Sequence, residues 1–206
     1  MTLESNIQSL SSRIIKRCFD LFFSTLGLFA TGWLILLAFL AASWDTKRNG
    51  FFVQTRVGKN GKPFKVIKIR TMKDSPKFGT TVTINNDPRI TRWGRFFRKT
   101  KIDELPQLIN IFIGDMSFVG PRPDVPGFAD RLTGEDRIIL SVRPGITGPA
   151  TLRFRDEEEI LARQVNPERY NREVIFSEKV RLNREYVEKY SFWKDIKYIC
   201  QTIFGK

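Results

Sequence analysis

Two adjacent carboxylates, Asp103 and Glu104, have the residue types and the spacing for chemistry on a phosphate. They directly follow the most basic run of the chain, and Arg98 lies five residues before Asp103. An aspartate can attack phosphorus to form an acyl phosphate, while a guanidinium holds phosphate oxygens in the same pocket. The pattern therefore predicts phosphoryl transfer. A structural alternative stays open, in which Asp103 is the N-cap of the apolar helix that follows, with Pro106 in its first turn.

The metal that suits this pair can be inferred from the oxygen atoms of the two carboxylates and from the absence of histidine. Two neighbouring negative charges repel each other unless a cation neutralises one of them. The sequence has no histidine, which excludes Ser-His-Asp and Cys-His catalysis and most zinc and non-haem iron sites. Hard carboxylate oxygens favour Mg²⁺, so we predict a Mg²⁺ cofactor here. The sequence also lacks the P-loop and Rossmann glycine motifs, which excludes kinase, ATPase and dinucleotide sites of those kinds.

The charge of the chain is concentrated in one region. Its 206 residues contain 35 Lys and Arg against 22 Asp and Glu, a formal net charge of +13. Residues 45–102 hold 16 basic and three acidic residues, and the remainder holds 19 of each, so this region carries the whole excess. The length predicts one globular domain. The basic region predicts an anionic partner, such as a nucleotide, a nucleic acid or an acidic membrane surface.

An uncharged segment of 23 residues, Leu21–Ser43, precedes the basic region. At ~1.5 Å per residue, a helix of this length can cross the hydrocarbon core of a bilayer, and hydropathy alone favours a straight span. Basic residues flank both ends, and the positive-inside rule pulls both toward the cytoplasm. A re-entrant helix that bends near Thr31 and Gly32 satisfies both ends. We therefore divide the chain into a membrane-inserted segment, 1–45, and a cytosolic catalytic domain, 46–206.

The rest of the sequence predicts a mainly helical α+β domain. Phe51–Arg56 and Phe64–Arg70 have the pattern of two strands around a glycine turn, a β-hairpin. Helical patterns occur at 89–101, 105–112, 156–163, 168–190 and 192–203. The first and the last of these are basic and amphipathic, and each either lies on an anionic leaflet or packs its apolar face into the core. The expected fold is a re-entrant membrane helix, amphipathic interfacial helices and a small cytosolic domain with a β-hairpin.

Other basic residues could bind the phosphates of a substrate. Arg122 is held between two prolines, which fix the backbone and reduce the entropy lost when it clamps a phosphate; the alternative is a rigid turn with an exposed arginine. Lys68 and Arg70 are two residues apart, so they lie on one face of a strand and point into one pocket or into water. Arg143 begins a glycine-rich stretch that is either a turn or a loop in contact with a nucleotide.

Six short motifs occur in order along nearly the whole chain: K-R-x-x-D at 16–20, Q-x-R-x-G-x-x-G at 54–61, K-x-R-T-M at 68–72, D-E-L-P-Q at 103–107, G-D-M-S-F-V-G-P-R-P at 114–123 and R-P-G-I-T-G at 143–148. Together they resemble the bacterial sugar transferase family, in particular the small monotopic phosphoglycosyl transferases that initiate glycoconjugate synthesis. Any one motif would be weak, but six in the right order are not expected by chance. The family usually has a proline at the bend of its membrane helix, and this chain has none at 30–33.

The resemblance implies a two-step exchange on the cytoplasmic face of the bacterial inner membrane. An aspartate attacks the β-phosphate of a UDP-sugar, UMP leaves, and polyprenol (undecaprenyl) phosphate then takes the phosphosugar. By motif match, Asp103 is the nucleophile, Glu104 the Mg²⁺ ligand, and Arg98 and Arg122 contact phosphate. The family's re-entrant helix agrees with the basic residues at both ends of the apolar segment. The sugar and the oligomeric state stay open, and a homodimer is allowed.

Two other classes of function explain part of the sequence. A membrane-tethered nucleic-acid-binding module would account for the net charge of +13 and the interleaved aromatic residues. A structural membrane adaptor would account for the amphipathic helices. Neither gives a reason for the paired carboxylates. The expected partners are therefore a UDP-sugar, polyprenol phosphate and anionic membrane lipid, and not nucleic acid.

Overall fold

The computed structural model describes residues 10–73 and 87–205. Within these residues the chain forms eight α-helices and four short strands, which pair as two separate sheets. The elements in chain order are α1 Leu10–Thr46, β1 Phe51–Val57, β2 Pro63–Ile69, α2 Arg92–Thr100, α3 Gln107–Ile113, β3 Ser117–Val119, β4 Gly145–Thr147, α4 Pro149–Arg153, α5 Glu157–Ala162, α6 Pro167–Tyr170, α7 Phe176–Glu188 and α8 Phe192–Phe204. The predicted class, α+β and mainly helical, is confirmed.

Helix α1 contains the uncharged segment and extends beyond it at both ends. It is helical without interruption through Thr31 and Gly32, and the Thr31 hydroxyl donates to the Gly27 carbonyl at 2.7 Å. A threonine in a helix commonly bonds back in this way to the preceding turn. In the part of the chain that the structure describes, α1 is the one helix long and apolar enough to cross a membrane. The re-entrant path stays a prediction.

One face of α1 is buried against the rest of the protein. At each end of the helix its buried residues recur every three or four positions, which places them on one stripe; they are Lys16, Asp20, Ser24, Ile35, Ala38, Ala42 and Thr46. The apolar members share a core cluster with Ile69 of β2 and Phe97 of α2. The opposite face has large apolar side chains in the open, with Phe29 88% and Trp33 64% exposed.

Three charged side chains near the start of α1 dock it onto other elements. Lys16 forms a buried ion pair with Asp195 of α8, and Asp20 accepts a hydrogen bond from the Ser117 hydroxyl of β3 at 3.1 Å. Arg17 donates from Nη1 and Nη2 to carbonyls in the last turn of α3, at 2.7 and 2.8 Å. A helix end otherwise leaves such carbonyls without partners. The K-R-x-x-D motif therefore fixes α1 to α3, β3 and α8.

The predicted hairpin is confirmed, and one buried asparagine joins it to α3. β1 and β2 pair antiparallel around the turn at 58–62. The fully buried Asn110 donates from Nδ2 to the Lys65 carbonyl at 2.7 Å and accepts from the Ile67 backbone N–H at 3.1 Å. Lys68 follows directly in β2. Asn110 thus sets the position of Lys68 relative to the residues that precede α3.

The second sheet, a parallel pair of three-residue strands, is not predicted by the sequence. Ser117 of β3 pairs with Gly145 of β4. The two segments approach so closely that a Cβ on Gly145 would lie 2.1 Å from the backbone nitrogen of Gly120. Only a glycine permits this approach. The glycines of the fifth and sixth motifs therefore hold these two motifs together.

Helices α2 and α8 each pack one side into the protein, as one of the two alternatives predicted. In α2, whose N-cap is the Thr91 hydroxyl, Phe97 is buried at 4% exposure while Trp93 and Phe96 are 44% and 50% exposed. In α8, Asp195 is buried while Trp193 is exposed. Each helix packs one side into the protein and leaves aromatic side chains on the other. Contact of those side chains with a membrane stays a prediction.

Candidate active site

Asp103 and Glu104 lie in one tight turn between α2 and α3. The turn is the 3₁₀ segment Ile102–Glu104. It follows Lys101, whose φ of 58° places the residue after α2 in the left-handed region. Asp103 is 8% exposed, and the Glu104 side chain is 14% exposed. Both carboxylates are therefore largely removed from water, although their neighbours in α2 are charged and exposed.

The N-cap role that the sequence allowed for Asp103 is wrong. Helix α3 begins at Gln107, its N-cap position is Pro106, and no side chain caps it. Oδ1 of Asp103 is buried, and it has no hydrogen-bond partner within residues 10–73 and 87–205. A buried polar atom without a partner destabilises a fold, and perturbed groups of this kind are concentrated at functional sites. Chemistry explains the burial of this aspartate better than folding does.

Glu104 holds two basic side chains that come from different parts of the chain. Its Oε1 accepts a hydrogen bond from the Lys68 ammonium at 3.1 Å and forms an ion pair with the Arg122 guanidinium. Burial alone would raise the pKa of Glu104, but Arg122 and then Lys68 outweigh burial and hold this pKa well below its usual range. Three of the predicted site residues are thus in direct contact.

Asp103 has the opposite electrostatics from its neighbour. Burial raises the pKa of its carboxyl to about 6, and the negative charge of Glu104 adds to this effect, while Lys68 and Arg98 oppose it. At neutral pH the group is mainly ionised but poorly solvated. A carboxylate in that state is a suitable nucleophile. Two adjacent carboxyls whose pKa values are driven apart are expected to have different roles.

Arg122 is held in place from behind by the sixth motif. Its Nη1 donates to the Ile146 carbonyl of β4 at 3.2 Å. The ion pair with Glu104 is the main cause that raises the pKa of Arg122. A Cβ on Gly148 would lie 2.6 Å from the Gly120 carbonyl oxygen. A glycine at 148 therefore permits the chain after β4 to approach the chain after β3 closely. In this structure the motif at 143–148 supports Arg122.

The other three predicted substrate-binding residues make different contacts. Arg98 forms an ion pair with Glu158 of α5, although its charge also reaches Asp103. Arg70 donates from Nε to a backbone carbonyl in the loop before β1 at 2.8 Å. Arg143 donates from Nε to the carbonyl of Gly114, just past the far end of α3, at 2.7 Å. In the described parts of the chain, neither Arg70 nor Arg143 has a hydrogen bond to either carboxylate.

The match to a known family spans nearly the whole chain. Residues 11–205 match the bacterial sugar transferase family. The chain belongs to that family. The resemblance that the six motifs suggested is confirmed.

Several relatives of this chain have named activities. The chain is 36% identical over 199 residues to the UDP-glucose:undecaprenyl-phosphate glucose-1-phosphate transferase of Escherichia coli (strain K12), which covers 94% of the chain and 40% of that protein. It is 34% identical over 197 residues to the Caulobacter vibrioides protein of the same name, covering 91% and 68%. It is 31% identical over 222 residues to the UDP-galactose-lipid carrier transferase of Erwinia amylovora, covering 98% and 42%. The chain thus spans 40% of the length of the Escherichia coli relative, and the sugars in these names differ.

Two charged residues that the sequence pattern did not single out as site residues lie beside Arg122. Arg56 donates from Nη1 to the Pro123 carbonyl at 3.1 Å, and burial and then the charge of Arg122 lower its pKa. Asp124 follows Pro123 directly, and burial raises the pKa of its carboxyl to about 6. The signal for Arg56 was its place in the second motif. For Asp124 there was only its position after the prolines.

The site that contains Asp103 and Glu104 is compatible with the predicted Mg²⁺. In the described residues there is no group of three or more Asp, Glu, His or Cys side chains that could hold a metal. Mg²⁺ often needs only one or two carboxylates, because water and substrate phosphates complete its coordination. Among the described residues, both contacts of Glu104 use Oε1. Glu104 Oε2 therefore remains for a hard cation.

Proposed function

We propose that this sugar transferase moves a sugar 1-phosphate from a UDP-sugar to polyprenol phosphate and releases UMP, with Asp103 as the nucleophile. One observation carries the proposal. The carboxylate of Asp103 is buried, its Oδ1 has no hydrogen-bond partner among the described residues, and it lies next to Glu104, which forms ion pairs with Lys68 and Arg122. The names of two relatives contain UDP-glucose and undecaprenyl phosphate. These names support the classes of donor and acceptor.

In the first step, a carboxylate oxygen of Asp103 attacks the β-phosphorus of the donor. The bond from this phosphorus to the oxygen bridging the two phosphates breaks, and UMP leaves with that oxygen and its electron pair. The product on the protein is an acyl phosphate that carries the sugar. Lys68 and Arg122, held by Glu104, lie where they can stabilise negative charge on the transferred phosphate.

In the second step, a phosphate oxygen of polyprenol phosphate attacks the same phosphorus. The bond from phosphorus to the Asp103 oxygen breaks, so the carboxylate is regenerated and a polyprenyl diphosphate sugar is formed. Glu104 would hold a Mg²⁺ ion, which when bound would neutralise charge on the donor diphosphate. The two steps share one electrophile, because each replaces one oxygen on the same phosphorus.

Release of UMP tests the proposal directly. Purified protein in detergent, given Mg²⁺, polyprenol phosphate and a panel of UDP-sugars, should release UMP from at least one of them. A nucleic-acid-binding module or an adaptor would release none. Absence of UMP from every donor, with folded protein, would reject the proposed activity.

The raised pKa of Asp103 predicts an acid limb in the pH profile of the first step, that is, a rate that falls at low pH. Only the ionised carboxylate attacks, so we expect the rate of UMP release without acceptor to be flat above pH 7 and to fall about tenfold per pH unit below about 6. The acceptor is omitted because a phosphate monoester itself titrates near pH 6. Rapid-quench single-turnover assays measure this rate. A rate that stays constant down to pH 5 would contradict the assignment.

We further propose that α1 enters the cytoplasmic face of a bacterial inner membrane and returns to it. A straight helix of 37 residues would be about 55 Å long, far more than a bilayer core. Both ends of α1 contact the same domain: Lys16 pairs with Asp195, and Asp45 accepts from the Trp93 backbone N–H at 3.3 Å. The exposed apolar face between them is then available to lipid, and the basic face of α2 to anionic head groups.

Cysteine labelling tests this topology. Ser5, which lies outside the described residues, and Lys59 are each replaced by cysteine in a background without the free Cys18 and Cys200. We expect both positions to be protected from an impermeant thiol reagent in intact cells and labelled after lysis. Labelling of position 5 alone in intact cells would establish a straight span instead.

A further inference from the structure

The ion pair between Arg98 and Glu158 joins two distant parts of the chain at the edge of the proposed donor site. Arg98 is in the last turn of α2, five residues before Asp103, and Glu158 is in the first turn of α5. The contact uses Nη2 of the guanidinium. Among the described residues, Nε and Nη1 of Arg98 have no hydrogen-bond partner. An arginine held at one nitrogen keeps its other donors for a phosphate.

Helix α5 is anchored independently of Arg98. Lys179 of α7 donates to both carboxylate oxygens of Glu157, at 2.8 and 2.7 Å, and Leu161 is buried at 2% exposure. The charge of Glu157 also adds to that of Glu104 in raising the pKa of Arg122. The acidic first turn of α5 therefore faces both arginines that the motif match places on phosphate. Glu158 extends from a fixed position rather than from a loose loop.

Stability does not explain this ion pair well. The Arg98 side chain is 25% exposed and the Glu158 side chain 45% exposed. Pairs as open to solvent as this one contribute little to the free energy of folding. What the pair does is restrict a long side chain to one orientation, which reduces the entropy that a ligand would otherwise have to remove on binding.

We propose that Glu158 is a positioning residue that holds Arg98 in the orientation in which it binds a phosphate of the donor. This inference rests on the proposed function, because its ligand is the UDP-sugar or the product UMP. If Glu158 does not orient Arg98, only its negative charge matters, and that charge repels the phosphate dianion of UMP. Removal of the charge should then tighten the binding of UMP. The sign of the change therefore separates positioning from simple repulsion.

The test compares Glu158→Gln with Glu159→Gln in the full-length protein. Both substitutions remove one negative charge from the first turn of α5, and Glu159 is exposed and has no ion pair in the described residues. The measured quantities are the Kd of UMP and the KM and kcat for the donor. We expect Glu158→Gln to raise Kd and KM about tenfold, the loss of one oriented charge-assisted hydrogen bond, with a smaller change in kcat. Glu159→Gln should leave the Kd of UMP and the KM of the donor unchanged or slightly lower.

A second comparison tests whether Glu158 acts through Arg98. In an Arg98→Ala background, Glu158→Gln should have no further effect on the Kd of UMP. Equal or tighter UMP binding by Glu158→Gln than by Glu159→Gln, in variants with the same thermal unfolding midpoint, would overturn the inference while the enzyme stays active. Failure of the proposed function looks different: the unmodified protein would neither bind UMP nor release it, and the inference would then fall as well.

Discussion

Replacing Asp103 by asparagine is expected to reduce turnover roughly a thousandfold or more while the protein stays folded. The amide cannot form the acyl phosphate, and asparagine has nearly the same size and shape as aspartate. Because Asp103 does not cap α3, the substitution removes no helix-capping hydrogen bond. UMP release under saturating donor measures the effect.

The same substitution should stabilise the protein. Burial raises the pKa of Asp103 from 3.8 to about 6, so ionisation destabilises the native state by about 3 kcal/mol once the pH is above both values. This destabilisation develops as the pH rises through the interval from 3.8 to about 6. We therefore expect Asp103→Asn to raise the thermal midpoint at pH 7 by several degrees and to have little effect near pH 3.5.

A matched control separates burial from the loss of a charge. Asp156 is exposed and makes no capping hydrogen bond in α5. Asp156→Asn should change neither activity nor the thermal midpoint by a comparable amount. If Asp103→Asn instead releases UMP at a near normal rate, Asp103 is not the nucleophile, and direct attack by the lipid phosphate becomes the better mechanism.

Replacing Glu104 by glutamine is expected to have the second largest effect, a fall in kcat of roughly a hundredfold to a thousandfold. Glutamine leaves the charges of Lys68 and Arg122 without their shared carboxylate. It also removes a ligand proposed for Mg²⁺, so the activity should need a higher Mg²⁺ concentration. Titration of the rate against Mg²⁺ measures this shift.

The pH profile of Glu104→Gln provides a second readout. The charge of Glu104 helps to raise the pKa of Asp103, so its removal should move the acid limb of the first step below pH 6. Glu104→Asp keeps the charge and should retain the limb near its original position, although the shorter side chain reaches Lys68 and Arg122 less well. An unchanged Mg²⁺ requirement together with an unchanged acid limb would show that Glu104 has neither role.

The elements that the sequence predicted correctly are those defined by local patterns, such as the hairpin of alternating residues around a glycine turn. For the candidate site, the sequence singled out Asp103, Glu104, Lys68 and Arg122. The structure brings the last three into contact. Their roles in catalysis stay predictions, which the experiments above test.

What the sequence did not reveal depends on contacts between distant segments. The strands β3 and β4 are only three residues long and pair across a gap of 25 residues, so neither has a clear pattern of its own. Arg70 and Arg143 each donate to a backbone carbonyl, a contact that the sequence pattern did not indicate. Their binding of phosphate stays a prediction. The partner of Arg98, Glu158, is 60 residues away, and no local rule connects the two.

The most direct test of the central claim is mass spectrometry of the protein after incubation with a UDP-sugar and Mg²⁺ in the absence of polyprenol phosphate. We predict a mass increase of one sugar phosphate, located on the peptide that contains Asp103, absent from Asp103→Asn and lost when polyprenol phosphate is added. An unmodified protein, under conditions in which the complete mixture releases UMP, or an adduct on any other residue, would contradict it.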